Sequence, residues 1–161
     1  MRKVGDFTFF FGAQDAFSNW HPSPFLYHGV QFACVEQFMM FAKAKLFDDQ
    51  QAAMDILAAR DPMVQKKLGR TVRGFTPDVW SEKRESIVFV GCREKFTQNP
   101  ALLVQLLASD PTELVEASPY DLIWGIGLHD RDPKIMDKTQ WRGLNLLGNA
   151  LMKVRKALTT Q

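Results

Sequence analysis

Val35-Glu36-Gln37-Phe38-Met39-Met40-Phe41-Ala42-Lys43-Ala44-Lys45-Leu46-Phe47 is the stretch on which the reading of this chain turns. Its apolar residues fall at Val35, Phe38 with Met39, Ala42 and Leu46, the spacing of a helix that buries one face. On its N-terminal side, Phe25 to Phe32 is aromatic and interrupted by His28-Gly29, which predicts a hairpin. A proline-rich loop, Phe17 to Pro24, separates that hairpin from an aromatic strand within Asp6 to Gly12. On the C-terminal side, Asp48 or Asp49 can cap a second helix that runs to Arg60. Asp61-Pro62 opens a third helix ending at Gly69, Thr76-Pro77 a fourth running towards Thr97, and Asn99-Pro100 a fifth over Ala101 to Ala108. Glu113 to Ala117 and Leu122 to Leu128 read as strands joined by the turn Ser118-Pro119-Tyr120-Asp121, and His129 to Gln140 as a polar loop. Leu144 to Leu158 closes the chain as a helix, with Leu147, Leu151 and Val154 on one face. The expected fold is α+β: one predominantly helical domain, residues 1–161, around a small β-sheet.

Composition agrees with one globular domain: 161 residues, 46% hydrophobic and 24% charged, with neither low complexity nor an internal repeat. No apolar run reaches the roughly 18 residues of a membrane span, and the first residues lack the apolar core of a signal peptide, so a cytoplasmic protein is expected. A net charge of +2 is too small for strong non-specific binding to nucleic acid, which leaves local basic patches. Cys34 and Cys92 stand far apart and are expected to be reduced thiols. His21, His28 and His129 lack ligand spacing, so no protein-bound catalytic metal is expected.

On a helical wheel Lys43 falls about 20° from Glu36, two turns and about 10 Å along the axis. Both charges lie beside the apolar arc. Glu36 can cap its helix while Lys43 reaches out to water; alternatively, carboxylate and amine converge on a ligand, and apolar neighbours (Met39, Met40, Phe47) lower the lysine pKa. Trp80, Trp124 and Trp141 each suit a core or a stacking site equally. Gly125-Ile126-Gly127 fails the dinucleotide fingerprint, yet two glycines allow close approach of backbone to a ligand. Arg70, Arg73 and the amides of Gly143-Leu144-Asn145 are candidates to bind phosphate. Glu116 and Asp121 are candidate acids or bases, and Asp121 is equally placed to be a turn residue.

Phe17-Ser18-Asn19, Glu36-Gln37 with Lys43-Ala44, Leu68-Gly69-Arg70, Trp80, Lys95-Phe96, Leu114-Val115-Glu116, Asp121 with Trp124-Gly125-Ile126-Gly127, and Asn145-Leu146-Leu147-Gly148 together resemble the NADAR (YbiA-like) family over residues 7 to 156. The resemblance implies an α+β N-glycosidase without metal or redox cofactor, cleaving an amine from C1′ of a phosphorylated ribose. It implies catalytic roles for Glu36 and Lys43, and substrate binding by Asn19, Arg70, Trp80, Glu116, Asp121, Trp124, Gly125, Gly127 and Asn145. Family members divide between phosphoribosylamino-pyrimidine intermediates of riboflavin synthesis and ADP-ribose on guanine in nucleic acid. Riboflavin-type members tend to carry Trp-Gly-Asp-Gly, whereas Ile126 is apolar here, which favours the ADP-ribose branch and functional pairing with an ADP-ribosyltransferase toxin. A module that binds ADP-ribose without cleaving it is the alternative from another class. Glu36, Lys43, Trp80, Trp124 and Asn145 are expected around one cleft. Ala33-Cys34 stands where the family often has Ser or Thr, which predicts weak capping of the Glu36 helix.

Overall fold

In chain order, the computed structural model, which describes residues 1–160, contains β1 (Arg2–Val4), β2 (Phe7–Phe10), β3 (Phe25–Tyr27), β4 (Val30–Phe32), α1 (Val35–Leu46), α2 (Gln50–Ala58), α3 (Pro62–Arg70), α4 (Pro77–Gln98), α5 (Pro100–Ala108), β5 (Glu113–Glu116) and α6 (Leu146–Thr159). Two 3-10 turns, Pro133–Met136 and Lys138–Gln140, punctuate the polar loop before α6. The fold is α+β and mainly helical. The chain resolves into two compact units, residues 22–99 and residues 1–21 with the chain from Pro100 onward.

Residues 22–99 follow local chemistry closely. Both His28 (φ 48°) and Gly29 (φ 77°) adopt the left-handed conformation that a two-residue hairpin turn demands, pairing Phe25 with Phe32 and Tyr27 with Val30. The side chains of Asp49 and Asp61 accept the Ala52 and Met63 amides, so each caps its helix as its position implies. α1 lacks a side-chain cap at Cys34, in line with the weak capping expected there. The Cys34 thiol donates to Gln65 Oε1 at 3.4 Å, while Gln37 reaches back to accept the Ala33 amide and donates to the carbonyls of Ile56 and Ala59. One buried glutamine therefore ties the start of α1 to the end of α2. The rings of Phe25, Phe32 and Phe38 interlock with centroids 5.1 to 5.7 Å apart. Gly91 lets α4 close on α1, since a Cβ there would meet Phe38 Cδ1 at 2.8 Å.

Beneath that contact Lys95 is fully buried near Cys92 and Cys34. Burial pushes its pKa down to about 8, and burial raises the thiols of Cys34 and Cys92 to about 11 and about 12. Between pH 8 and about 9 the unfolded chain holds a lysine proton that the folded chain has shed, so stability rises with pH. Above about pH 9 the unfolded thiols ionise while the folded pair stay protonated; two groups then oppose one and stability falls. A maximum near pH 9 is expected, with slopes of about 1 kcal/mol per pH unit on either side. Denaturant midpoints from pH 7 to 11 measure it. Lys95→Met should remove the rise, and an unchanged profile in that variant would refute the assignment.

In the other unit β2 is central, antiparallel to β1 and parallel to β5. Phe9, Val115, Ala117, Ile126, Leu128 and Ile135 form its core, with Phe7 and Trp141 packed against them. The Trp141 indole donates to the Ile135 carbonyl and its ring lies 5.8 Å from Phe7, so of its two readings the structural one holds. β1 carries no sequence signal because it is three residues long, with Arg2 and Lys3 exposed.

Leu122 to Leu128 is not a strand, contrary to the expectation. The carbonyls of Leu122, Ile123, Trp124, Gly125 and Ile126 accept, respectively, the amides of Leu144, Leu146, Leu147, Asn145, and Arg142 with Gly143. Five successive carbonyls are thus satisfied by residues 142–147, the approach to α6 and its first two residues, and no ladder partner is needed.

Candidate active site

α1 places Glu36 and Lys43 two turns apart on one stripe, and residues 22–99 build a site around the amine. Glu36 is 4% exposed. The Lys43 Nζ lies 4.5 Å from the Phe75 ring centroid and 5.5 Å from that of Trp80. Phe75 is supplied by the loop between α3 and α4 and held edge-on against Phe47 at 5.4 Å, whereas Trp80 comes from the first turn of α4. Arg70, the last residue of α3, is close enough to act on the amine electrostatically.

Three influences set the protonation of Lys43. Desolvation against the rings lowers its pKa and is the largest; Glu36 raises it; Arg70 lowers it again. The net direction is downward. An aromatic face also attracts an ammonium, so the rings hold the amine in place while they strip it of water. Of the three neighbours expected from the wheel, Met40 packs beneath Gly69 of α3, where a Cβ would collide with its sulfur. Phe75 was not foreseen, because its approach to Lys43 depends on how the loop after α3 folds. Arg84 lies one turn beyond Trp80 on α4, and its Nε is enclosed without a hydrogen-bond partner.

Glu36, Lys43, Arg70 and Trp80 are thus gathered in this unit. Arg73, offered with Arg70 as a phosphate ligand, is instead joined to Asp49, which accepts its amide at 2.8 Å and pairs with its Nε at 3.7 Å.

The remaining candidates lie in the other unit. Asp121 Oδ1 accepts the amides of Ile123 and Trp124, so this carboxylate builds the turn. Asn145 adopts φ 52° and is 2% exposed; its Oδ1 accepts the Glu116 amide and its Nδ2 donates to the Leu114 carbonyl. Its side chain clamps β5 to the start of α6, a positioning role. Gly125 packs against the Glu116 carbonyl and Ser118, where a Cβ would lie at 3.0 Å from each, and Gly127 has φ 72°. Glu116 and Trp124 are half-buried, and Asn19 is buried in the successive turns between Gly12 and His21. The amides of Gly143, Leu144 and Asn145 are spent on the carbonyls of Ile126, Leu122 and Gly125, so they do not offer a phosphate cradle. Ile126 is fully buried in the core.

Among the described residues no group of three or more His, Cys, Asp or Glu is placed to hold a metal ion. No helix among them is long and apolar enough to cross a membrane.

A family model for the NADAR domain matches residues 9–159. N-glycosidase R617 of Acanthamoeba polyphaga mimivirus is 40% identical over 165 residues, spanning 96% of this chain and 97% of the viral protein. Protein irg-1 of Caenorhabditis elegans is 38% identical over 172 residues, 96% of this chain and 81% of the worm protein. The NMR structure of the Escherichia coli protein YbiA superimposes with a TM-score of 0.79 at 27% identity, covering 98% of this chain and 88% of that one.

Proposed function

The chain belongs to the NADAR domain family and, like its relatives named N-glycosidase, is a hydrolase acting on N-glycosyl bonds; on that premise we propose that it cleaves the bond between C1′ of ADP-ribose and guanine in nucleic acid. One observation carries the chemistry: a lysine amine, its pKa lowered, held between Phe75 and Trp80 with Glu36 on the same helix and Arg70 beside it. A neutral amine is a nucleophile towards C1′. In the step we assign to Lys43, its nitrogen bonds to C1′ as the C1′–N bond breaks, and the bonding pair leaves with the guanine, which takes up a proton. Glu36 accepts the proton lost by the lysine nitrogen. The C1′–O4′ bond then opens with its electron pair remaining on O4′, which takes the proton held by Glu36, and the lysine nitrogen becomes an iminium; water adds at C1′, and collapse of the adduct releases ADP-ribose and the free amine.

Trp80 offers a flat face to the base, and Arg70 a fork of donors to the diphosphate. In the other unit we assign substrate contacts to Asn19, Glu116, Trp124, Gly125 and Gly127. The apolar Ile126 supports the ADP-ribose branch only as a mark of subfamily, since its side chain lies in the core.

Side-by-side assays of ADP-ribosylated guanine in DNA and of a phosphoribosylamino-pyrimidine test the substrate. At least about tenfold higher kcat/KM on the former is expected. Faster release from the pyrimidine would transfer the assignment to riboflavin intermediates, and tight binding of ADP-ribose with no release of base would make the protein a reader.

A further inference from the structure

Residues 22–99 carry a recess separate from the Lys43 site. Phe41 and Lys45 each stand two residues from Lys43 on α1, about 200° around the helix, and so face away from the amine. They border a groove of about 500 Å³ with Tyr27, Phe32 and Lys83. Its aromatic rings are locked edge to face: Phe32 on Phe41 at 5.3 Å and Tyr27 on Phe38 at 5.4 Å. The surface is therefore preformed, and its volume is in the range of single-ligand pockets. Lys45 and Lys83 are exposed at its rim, and none of the lining residues is a carboxylate.

Among the described residues Lys45 Nζ donates only to the neutral Gln50 Oε1, at 3.2 Å, and an aromatic surface bounded by two exposed cations suits a ligand that alternates flat apolar rings with anions. We propose that this groove binds a single-stranded nucleic-acid segment, with a base stacked on the half-buried rings of Tyr27 and Phe41, which the buried Phe32 and Phe38 hold in place, and the adjoining phosphates met by Lys45 and Lys83. An apolar protein segment would leave both lysines unmatched. This inference rests on the reading that the substrate is carried on nucleic acid. It adds a holding site for the strand, distinct from the residues that act at C1′.

Fluorescence anisotropy with a short unmodified single-stranded DNA tests it, using the wild type, Phe41→Leu, and the double variant Lys45→Ala/Lys83→Ala. Phe41→Leu keeps an apolar side chain and removes the π-face; the double variant changes only exposed side chains. Each should weaken binding about tenfold, and the double variant should flatten a wild-type salt slope of about −1.4. Hydrolysis of a strand-free ADP-ribosylated guanosine should be unchanged in both. If the enzyme ignores ADP-ribosylated guanine yet binds DNA through these residues, the groove stands and the substrate reading fails. DNA affinity that is indifferent to all three substitutions overturns the groove proposal, as does sedimentation showing that the substitutions dissociate a dimer of this chain.

Discussion

Lys43→Arg is expected to lower kcat by about a thousandfold or more although the positive charge remains. Guanidinium stays protonated at any working pH and is not a nucleophile, whereas the Lys43 amine is drained of water by Phe75 and Trp80 and its pKa lies below the ordinary lysine value. Lys43→Ala should be equally inactive and should still fold, because the side chain is only half-buried. Borohydride added during turnover should reduce the iminium to a secondary amine and leave on this residue alone an adduct with the mass of ADP-ribose less one oxygen. The sign of the pKa shift adds a second reading: kcat/KM should climb with pH as the amine loses its proton, and that climb should occur at lower pH than for an exposed lysine. Glu36 holds the pKa up, so Glu36→Gln should move the climb lower still while it removes the proton acceptor. Near-full activity in Lys43→Arg, with no adduct trapped, would replace the iminium route by direct attack of water activated by Glu36.

Gly148→Ala is expected to cost about 3 kcal/mol or more of stability, or to prevent folding. A Cβ at this position would be driven into the Leu114 carbonyl oxygen and lie 2.5 Å and 2.7 Å from Asn145 Nδ2 and Oδ1. Neither obstacle can give way cheaply: the first is strand backbone, and the second is the amide that accepts the Glu116 N–H and donates to Leu114. α6 would have to lift from β5 and release the clamp. Gly12→Ala is the control. Its φ of 87° is strained for alanine, but nothing lies within 4 Å of a Cβ there, so a loss of only about 1 to 2 kcal/mol is expected. Thermal or denaturant midpoints for the pair decide it; a Gly148→Ala loss no larger than the Gly12→Ala loss would show that α6 and β5 are not packed as described.

Several readings depended on groups close together in the chain, and these are the ones that hold. The His28-Gly29 turn, the caps at Asp49 and Asp61, and the helix starts at Pro62, Pro77 and Pro100 each follow from contacts within about four residues. The Glu36–Lys43 stripe is of the same kind, since seven residues bring a helix back almost to its own azimuth. Their proximity was therefore legible before any tertiary contact was known. Leu122 to Leu128 shows the opposite case. Its apolar residues look like a strand, but its carbonyls find donors some twenty residues further on, and two glycines, the Asp121 turn and the left-handed Asn145 let the backbone reach them.

What the sequence by itself determined, then, is the set of helices, the hairpin and the charged stripe on α1, because spacing, caps and turns are short-range physics. Only the tertiary structure decided that Phe75 joins Trp80 over Lys43, that Ile126 is sealed in a core and that Asn145 is spent on backbone. It also showed that the amides before α6 have no hydrogen to offer a phosphate. Each of these depends on which distant donor meets which acceptor, or on which loop covers which face. Those pairings are chosen by the packing of the folded chain, since a buried polar group left without its partner costs more than any local preference contributes.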